Sequence, residues 1–377
     1  VPARSAGAEF PLESGYLMAR LQLDGTKMQH HVEALNVWRR GETVYPLLVE
    51  ISPTNVCNHG CLFCAYDYID GRSSQAALDK SNSAFIDAER LMAVISELHE
   101  VGTKSLFYSG EGEPLLHKRL PDIIEFAGGL GLDQAVNTNG SALKGKVMQR
   151  ILPHLSWIRF SVNGVNEADY AFNHRTSPDQ FNRVIGNIKA AAKFKKLHGL
   201  PVTLGIQSVH MGQKPEEIFE LARRFKELGG GYFSLKQFNE HPANPYHQDE
   251  TPKREDFYRI LELNDDDFQA HVRMPLGEAA PKRSYKSCLA LPFFAEIVAD
   301  GQVYACGPHL GEAAFCYGSI YEADFRTLWS KNNRAKVENH VQGIDDLDHV
   351  CMPNCRLNEV NKFLWNLAHP PEHVNFI

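Results

Sequence analysis

Cys57, Cys61 and Cys64 lie in the run Cys-Asn-His-Gly-Cys-Leu-Phe-Cys, at spacings of four and three. Thiolate sulfur is the ligand that iron–sulfur clusters take, and a cubane of four irons calls for four such ligands. Three cysteines on one short loop leave one iron without a protein sulfur. An open coordination position is where a small molecule binds, by the logic that separates catalytic from structural zinc sites. Zinc, with His59 inside the loop as a fourth ligand, is the alternative metal. The place of the triplet just after the apolar stretch Tyr45–Ile51, and the apolar Leu62 and Phe63 beside Cys64, favour a shielded, redox-active cluster.

The other five cysteines stand far away in sequence. Cys288 and Cys306 flank a hairpin signal, Asp300-Gly301, and Cys351 and Cys355 form a chelating pair. Cys316 is left over. It reads as a small buried strand residue or as a replacement for one of the four ligands. A zinc site of four thiolates is the alternative for the whole set.

The elements that must position these residues alternate between strand and helix. Strands are expected at Tyr45–Ile51, Lys104–Ser109, Gln134–Thr138, Ser156–Val162, Val202–Val209 and Tyr232–Gln237. Helices are expected at Ala84–Val101, Lys118–Leu130, Ser141–Ile151, Gln180–Leu197 and Pro215–Leu228. Such alternation implies parallel pairing with right-handed crossovers, and places the ligand site at the C-terminal ends of the strands. Cys57, Gly110, Asn139, Ser161, Gln207 and Lys236 all fall at or just past those ends. The reading is therefore an α/β fold with an N-terminal extension over 1–44, a barrel over 45–240, and a polar linker with some helix, Phe257–Leu263, over 241–284. A small hairpin-and-helix unit follows over 285–377, with strands Phe293–Ala299 and Val303–Cys306 and helices Phe325–Ser330 and Asn361–Leu367. Val1–Phe10 reads as a trimmed or non-native end and is left out of the fold expectation.

Bulk properties narrow the class. The chain has 377 residues with 43% hydrophobic and 23% charged content, ordinary for a globular enzyme. A net charge of −7 gives no reason to expect nucleic acid or an anionic membrane as partner. No apolar run reaches the length of a membrane span, and no secretion signal is visible. The expected compartment is the cytoplasm, where clustered cysteines bind metal more often than they form disulfides.

Cys57-x3-Cys61-x2-Cys64, with the aromatic Phe63 before its last cysteine, resembles the signature of the radical S-adenosylmethionine superfamily. The resemblance implies a partial (βα)6 TIM-like barrel. It also implies a 4Fe–4S cluster whose open iron is chelated by S-adenosylmethionine, and a 5′-deoxyadenosyl radical that abstracts hydrogen from the substrate. An external one-electron reductant such as flavodoxin or ferredoxin follows from the same likeness. Ser109-Gly110-Glu111-Gly112-Glu113-Pro114 resembles the family's glycine-rich segment after the second strand, with Glu111 where glycine is usual. On that likeness Gly110 and Gly112 let the backbone approach the cofactor, and Glu113 and nearby carbonyls accept from the methionine ammonium group. Asn139, Ser161 and Asn163 hold the ribose or the methionine carboxylate, and Phe63 and Gln207 add cofactor contacts. Each of these also has an ordinary reading as turn or strand-end chemistry.

Cys288, Cys306, Cys351 and Cys355 resemble the twitch form of the SPASM extension, which holds a second 4Fe–4S cluster beside the substrate. In radical epimerases of the superfamily a lone thiol, here Cys316, quenches the substrate radical. Residues 1–44 are too short for the peptide-recognition domain of many peptide-modifying members, and the tail from Asn361 to Ile377 resembles a bacterial subgroup linked to surface carbohydrates. The expected substrate is a small polar metabolite, such as a sugar, aminocyclitol or nucleotide-sugar, oxidised or epimerised at a carbinol carbon. Tyr66, His174, Arg175, Lys236 and Glu296 are the candidate substrate contacts. Peptide modification, or a non-catalytic iron–sulfur or zinc module, are the alternatives.

Overall fold

The computed structural model describes residues 25–68, 83–238, 246–247, 252–274, 282–352 and 355–376. Its centre is one sheet of ten strands: β1 Leu48–Ile51, β2 Ser105–Tyr108, β3 Asp133–Thr138, β4 Trp157–Ser161, β5 Thr203–His210, β6 Tyr232–Gln237, β7 Gln269–Arg273, β8 Phe294–Ile297, β9 Gln302–Tyr304 and β10 Cys316–Ser319. Their order is β10-β9-β8-β1-β2-β3-β4-β5-β6-β7. The run from β8 through β7 is parallel throughout, and only β9 and β10 are antiparallel. This is the expected α/β partial barrel, with two changes. The stretch expected as a linker supplies a seventh parallel strand, β7, and its expected helix is a 3-10 helix, Arg254–Leu263. Residues 239–245, 248–251 and 275–281 of that stretch lie outside the described residues.

The second change is at the other edge. β8 pairs in parallel with β1, register Glu50↔Glu296, so the sheet is continuous across the expected boundary between the barrel and the C-terminal unit. The hairpin therefore forms one wall of the same concave surface.

Helices flank the sheet: α1 Val32–Arg39, α2 Ala88–Glu100, α3 Leu120–Gly129, α4 Gly145–Ile151, α5 Glu167–His174, α6 Asp179–His198, α7 Pro215–Glu227, α8 Phe325–Leu328, α9 Lys331–Gln342, α10 Leu347–Val350 and α11 Asn358–Ala368. α2 shows why. Asp87 caps it by accepting from the Arg90 N–H, and Leu91, Ile95 and Leu98 recur on one face. Those side chains pack with Val49, Ile51, Leu106 and Val136 of the strands. Removing one of them, as in Leu91→Ala, costs about 2–5 kcal/mol. Because outward strand residues meet helices and inward ones meet the cavity, the sheet alternates apolar and polar, as in β4 with Ile158 and Phe160 out and Arg159 and Ser161 in. At the chain ends Met28, Leu35, Val44, Phe293 and Leu364 form a second small core that ties α1 to α11. Among the described residues no helix is long and apolar enough to cross a membrane.

Candidate metal and substrate site

The triplet loop leaves β1 and is held from two sides. On one side the loop after β2 passes beneath it. The Glu113 N–H donates to the Val56 carbonyl at 2.9 Å, and a Cβ at Gly112 would stand 2.4 Å from that carbonyl oxygen. Gly110 sits at φ +104° with the Ser52 hydroxyl where its side chain would be. Only glycine meets both demands. Glu113 is buried, and its carboxylate accepts from the Thr138 hydroxyl at 2.6 Å, the Asn139 N–H at 2.7 Å and the Leu115 N–H at 3.0 Å. Burial raises its pKa against those three bonds. Glu111 is also buried and accepts from the Ala299 N–H at 3.1 Å. Asn139 reaches the loop itself, donating to the Asn58 side-chain carbonyl at 2.9 Å.

On the other side stands the C-terminus of α5. The helix ends on Arg175 in the left-handed region, φ 44°. Its last carbonyls accept from the loop: Gly60 N–H to His174 at 3.1 Å, and Leu62 N–H to Asn173 at 2.9 Å. His174 is fully buried. Its Nε2 accepts from the Asn163 N–H at 3.1 Å. A backbone N–H can only donate, so the neutral ring carries its proton on Nδ1, and Nδ1 lies 3.2 Å from Cys61 Sγ. Burial, and then His59, lower the His174 pKa, which keeps the ring neutral. The Asn163 amide is oriented by the Val209 N–H, which donates to its Oδ1 at 2.6 Å.

His59, Cys61 and His174 present potential ligand atoms within 4.8 Å of one another. The Nδ1 proton makes His174 a donor to sulfur there, not a metal ligand. Among the described residues the His59 ring nitrogens have no hydrogen-bond partner, and burial lowers that ring's pKa to about 4. A sulfur receiving an N–H bond, on a loop pinned by backbone bonds and bordered by Leu62 and Phe63, suits a thiolate-ligated cluster. The Phe63 ring meets the His174 ring edge-on at 5.1 Å.

All eight cysteines are half-buried thiols. Cys288, Cys306, Cys351 and Cys355 converge. Burial first, and then Cys355 and Cys351, push the Cys288 thiol up to about 12 against the hydrogen bond from Asn361, and Cys306 feels all three partners. Such a set is a donor group for a metal that takes thiolates. Asn361 of α11 donates to Cys288 Sγ at 3.3 Å. Cys316 stands apart on β10, where it donates to the Gln302 side chain at 3.3 Å.

Between the triplet loop and the four thiols lies the concave face. Glu50 and Glu296 are adjacent in register and buried. Arg356, next to Cys355, pairs with Glu50 and lies over Phe107 and Phe294. The Tyr66 phenol is pushed well up by burial, then by Glu296 and Glu50. Ser161 and Gln207 are register neighbours, and Lys236 pairs with Arg273.

Several expected roles change. His174 lies behind the loop with both ring nitrogens engaged by protein, and Arg175 is exposed as a helix terminator, so neither lines the concave face. The Glu113 carboxylate accepts three bonds from protein donors, because a buried anion must be satisfied wherever its loop is anchored. Asn163 is engaged likewise, its backbone carbonyl accepting from the Asn173 side chain at 2.7 Å. Glu296 and Lys236 stand on β8 and β6, and Glu296 acts on the Tyr66 phenol. Glu50, Arg159, Arg273 and Arg356 were not foreseen. The alternation within β4 marks Arg159 as inward, and the place of Arg356 beside Cys355 marks it as near the thiols.

The model of the Radical SAM superfamily matches residues 51–231. The chain is 27% identical over 189 residues to the dTDP-4-amino-4,6-dideoxy-D-glucose ammonia-lyase of Streptomyces venezuelae, covering 49% of this chain and 37% of that enzyme. It is 30% identical over 111 residues to an S-adenosylmethionine-dependent nucleotide dehydratase of Lacinutrix mariniflava, covering 29% and 22%. It is 28% identical over 182 residues to a probable GTP 3′,8-cyclase of Saccharolobus islandicus, covering 48% and 53%. The matched segments thus span about half or less of these relatives. Among solved structures, Streptococcus suis SuiB bound to S-adenosylmethionine superposes with a TM-score of 0.60 at 17% identity, covering 82% of this chain and 71% of that one. Native anSMEcpe with bound AdoMet gives 0.54 at 17%, covering 79% and 84%. The barrel and its cysteine loop, which the family model spans, belong to the radical SAM superfamily.

Proposed function

We propose that this radical SAM enzyme oxidises a carbinol carbon of a small polar metabolite, and that a nucleotide-sugar is the favoured substrate. The observation that carries the reading is the position of Glu296. Its carboxylate stands against Gly307, the residue after Cys306, where an added Cβ would lie 2.8 Å from Oε2, and it also acts on the Tyr66 phenol. A base there takes the hydroxyl proton beside the group that accepts an electron. Cys57, Cys61 and Cys64 would hold the cluster that binds S-adenosylmethionine, and Cys288, Cys306, Cys351 and Cys355 a second 4Fe–4S cluster. When bound, these groups supply the 5′-deoxyadenosyl radical and the electron sink. The chain's own share is to orient the substrate: Tyr66 and Arg356 border the carboxylates, and Ser161 and Gln207 offer hydroxyl and amide groups near the strand ends. A flavodoxin- or ferredoxin-type donor and a cytoplasmic setting go with this reading.

Epimerisation is the second reading. It rests on Cys316, a thiol outside the four-thiol group that shares a register row with Tyr304 and Glu296. Two strand spacings, about 10 Å, separate it from Glu296. Mass spectrometry of reactions with dTDP- and UDP-hexoses, S-adenosylmethionine and dithionite distinguishes the readings. A product two mass units lighter, still formed by Cys316→Ala and lost in Glu296→Gln, supports oxidation. Deuterium uptake from D2O that Cys316→Ala abolishes supports epimerisation. Loss of water or ammonia overturns both.

A further inference from the structure

One row of the sheet is polar across four strands. Ser161 of β4, Gln207 of β5, Ser234 of β6 and His271 of β7 are successive register partners. Their neighbours along the strands, Phe233 and Leu235 on β6 and Ala270 and Val272 on β7, belong to the apolar core. A strand turns alternate residues to opposite faces, so Ser234 and His271 point away from that core. One inward step below the row, the Tyr232 ring lies across β5: a Cβ at Gly205 would stand 2.1 Å from its Cζ. Only a residue without a side chain lets the ring take that place. The Tyr232 phenol is hydrogen-bonded to Arg159, and Arg159 and Arg356 lie over the same Phe107 ring, at 5.7 and 5.8 Å. Arg356 in turn pairs with Glu50. The row and the carboxylates therefore border one cavity.

Two buried polar atoms of this row have no hydrogen-bond partner among the described residues, Ser234 Oγ and His271 Nε2. They belong to adjacent strands at one register position, a backbone spacing of about 4.8 Å. Ser234 is 1% exposed. Leaving such atoms unpaired is costly, and folded proteins satisfy nearly all of them. Burial, and then Arg273, lower the His271 pKa and keep its ring neutral. A serine hydroxyl, a neutral imidazole and the Gln207 amide each donate and accept hydrogen bonds. Hydroxyl groups do the same, whereas an anion only accepts and an ammonium only donates. Adjacent strands present these groups side by side, which suits hydroxyls on neighbouring carbons of one ring.

We infer that Ser234 and His271, with Gln207 beside them, form a subsite for a vicinal diol on a sugar ring of the substrate. This inference rests on the proposed function and deepens it, since it gives the hydroxylated ring a place at β5, β6 and β7. A hexose and the ribose of a nucleotide carry the same diol chemistry. S-adenosylmethionine carries a ribose diol too, so its own binding serves as the control.

Two measurements on the reconstituted full chain test this. The first needs no sugar. Groups kept for a substrate are unpaired without it, so Ser234→Ala and His271→Leu should leave the thermal unfolding midpoint unchanged or raise it. A lower midpoint in Ser234→Ala would mean that protein or water already satisfies the hydroxyl, and would overturn the subsite. The second is isothermal titration with S-adenosylmethionine present, using UDP-glucose, UDP-galactose, and the 3-deoxy and 2′-deoxy analogues of the tighter one. At least one of the two sugars should bind. The 3-hydroxyl belongs to both diols of the hexose ring, so a loss of about tenfold or more in the 3-deoxy analogue assigns the diol to the hexose. The same loss in the 2′-deoxy analogue assigns it to the ribose. Ser234→Ala and His271→Leu should each weaken the parent sugar by about tenfold or more, and His271→Gln should restore part of that. Circular dichroism and iron content check that each variant is folded; if His271→Leu fails, Ser234→Ala still decides. The subsite is overturned if neither sugar binds, if both analogues bind as their parent does, if the variants bind as the unaltered chain does, or if they weaken S-adenosylmethionine instead. Product analysis separates this inference from the reading beneath it. A product two mass units lighter, formed by Ser234→Ala at an unchanged KM, removes the subsite alone. Diol-dependent binding with no lighter product removes the oxidation alone.

Discussion

The Nδ1 of His174 lies 3.2 Å from Cys61 Sγ, and the Asn163 N–H on the other ring nitrogen requires that this Nδ1 carry the proton. An N–H dipole aimed at a ligating sulfur stabilises the more negative, reduced state of a cluster. In the second set of thiols Asn361 donates to Cys288 Sγ, and the Ala290 N–H fixes that amide's orientation.

Replacing His174 by Phe removes the bond. At a net hydrogen-bond value of about 0.5–1.5 kcal/mol, the midpoint potential of the cluster on Cys61 should fall by about 20–60 mV. A redox titration followed by electron paramagnetic resonance reads this directly. An unchanged potential in a folded, cluster-bearing variant would show that the contact does not reach the metal.

The carboxylate of Glu113 serves as a clamp between the β2 and β3 loops. Glu113→Gln replaces an acceptor by a donor against the Asn139 and Leu115 N–H groups or the Thr138 hydroxyl. Chemical denaturation of the cluster-free chain should show a loss of about 1–3 kcal/mol. Were the carboxylate reserved for a ligand's ammonium group, stability without ligand would be unchanged.

Much of this arrangement was legible in the sequence, and the omissions have physical causes. β2 through β6 announce themselves because outward residues such as Leu106, Val136, Ile158 and Ile206 must meet helices. The triplet, the glycine segment and Asn139 fall at strand ends in sequence and converge there in space. α5 went unforeseen because it is short, and its ring residues Tyr170 and His174 serve the loop instead of an amphipathic face. β7 was hidden because its inward residues Gln269, His271 and Arg273 make it look like surface. The pairing of β8 with β1 joins segments more than two hundred residues apart, and no local pattern encodes it.

Iron counting separates the two sets of thiols. Alanine at Cys57, Cys61 or Cys64 should lower the iron content of the reconstituted chain by about four, and so should alanine at Cys288, Cys306, Cys351 or Cys355. Cys316→Ala should keep about eight. Loss of four irons in Cys316→Ala would make it a ligand and displace one of the others.

The most direct measurement is of the first chemical event. The chain is reconstituted anaerobically with iron and sulfide, reduced with dithionite and given S-adenosylmethionine. 5′-Deoxyadenosine should form with the parent and not with Cys57→Ala, Cys61→Ala or Cys64→Ala. A chain that takes up zinc instead of iron and yields no 5′-deoxyadenosine would contradict the reading at its root.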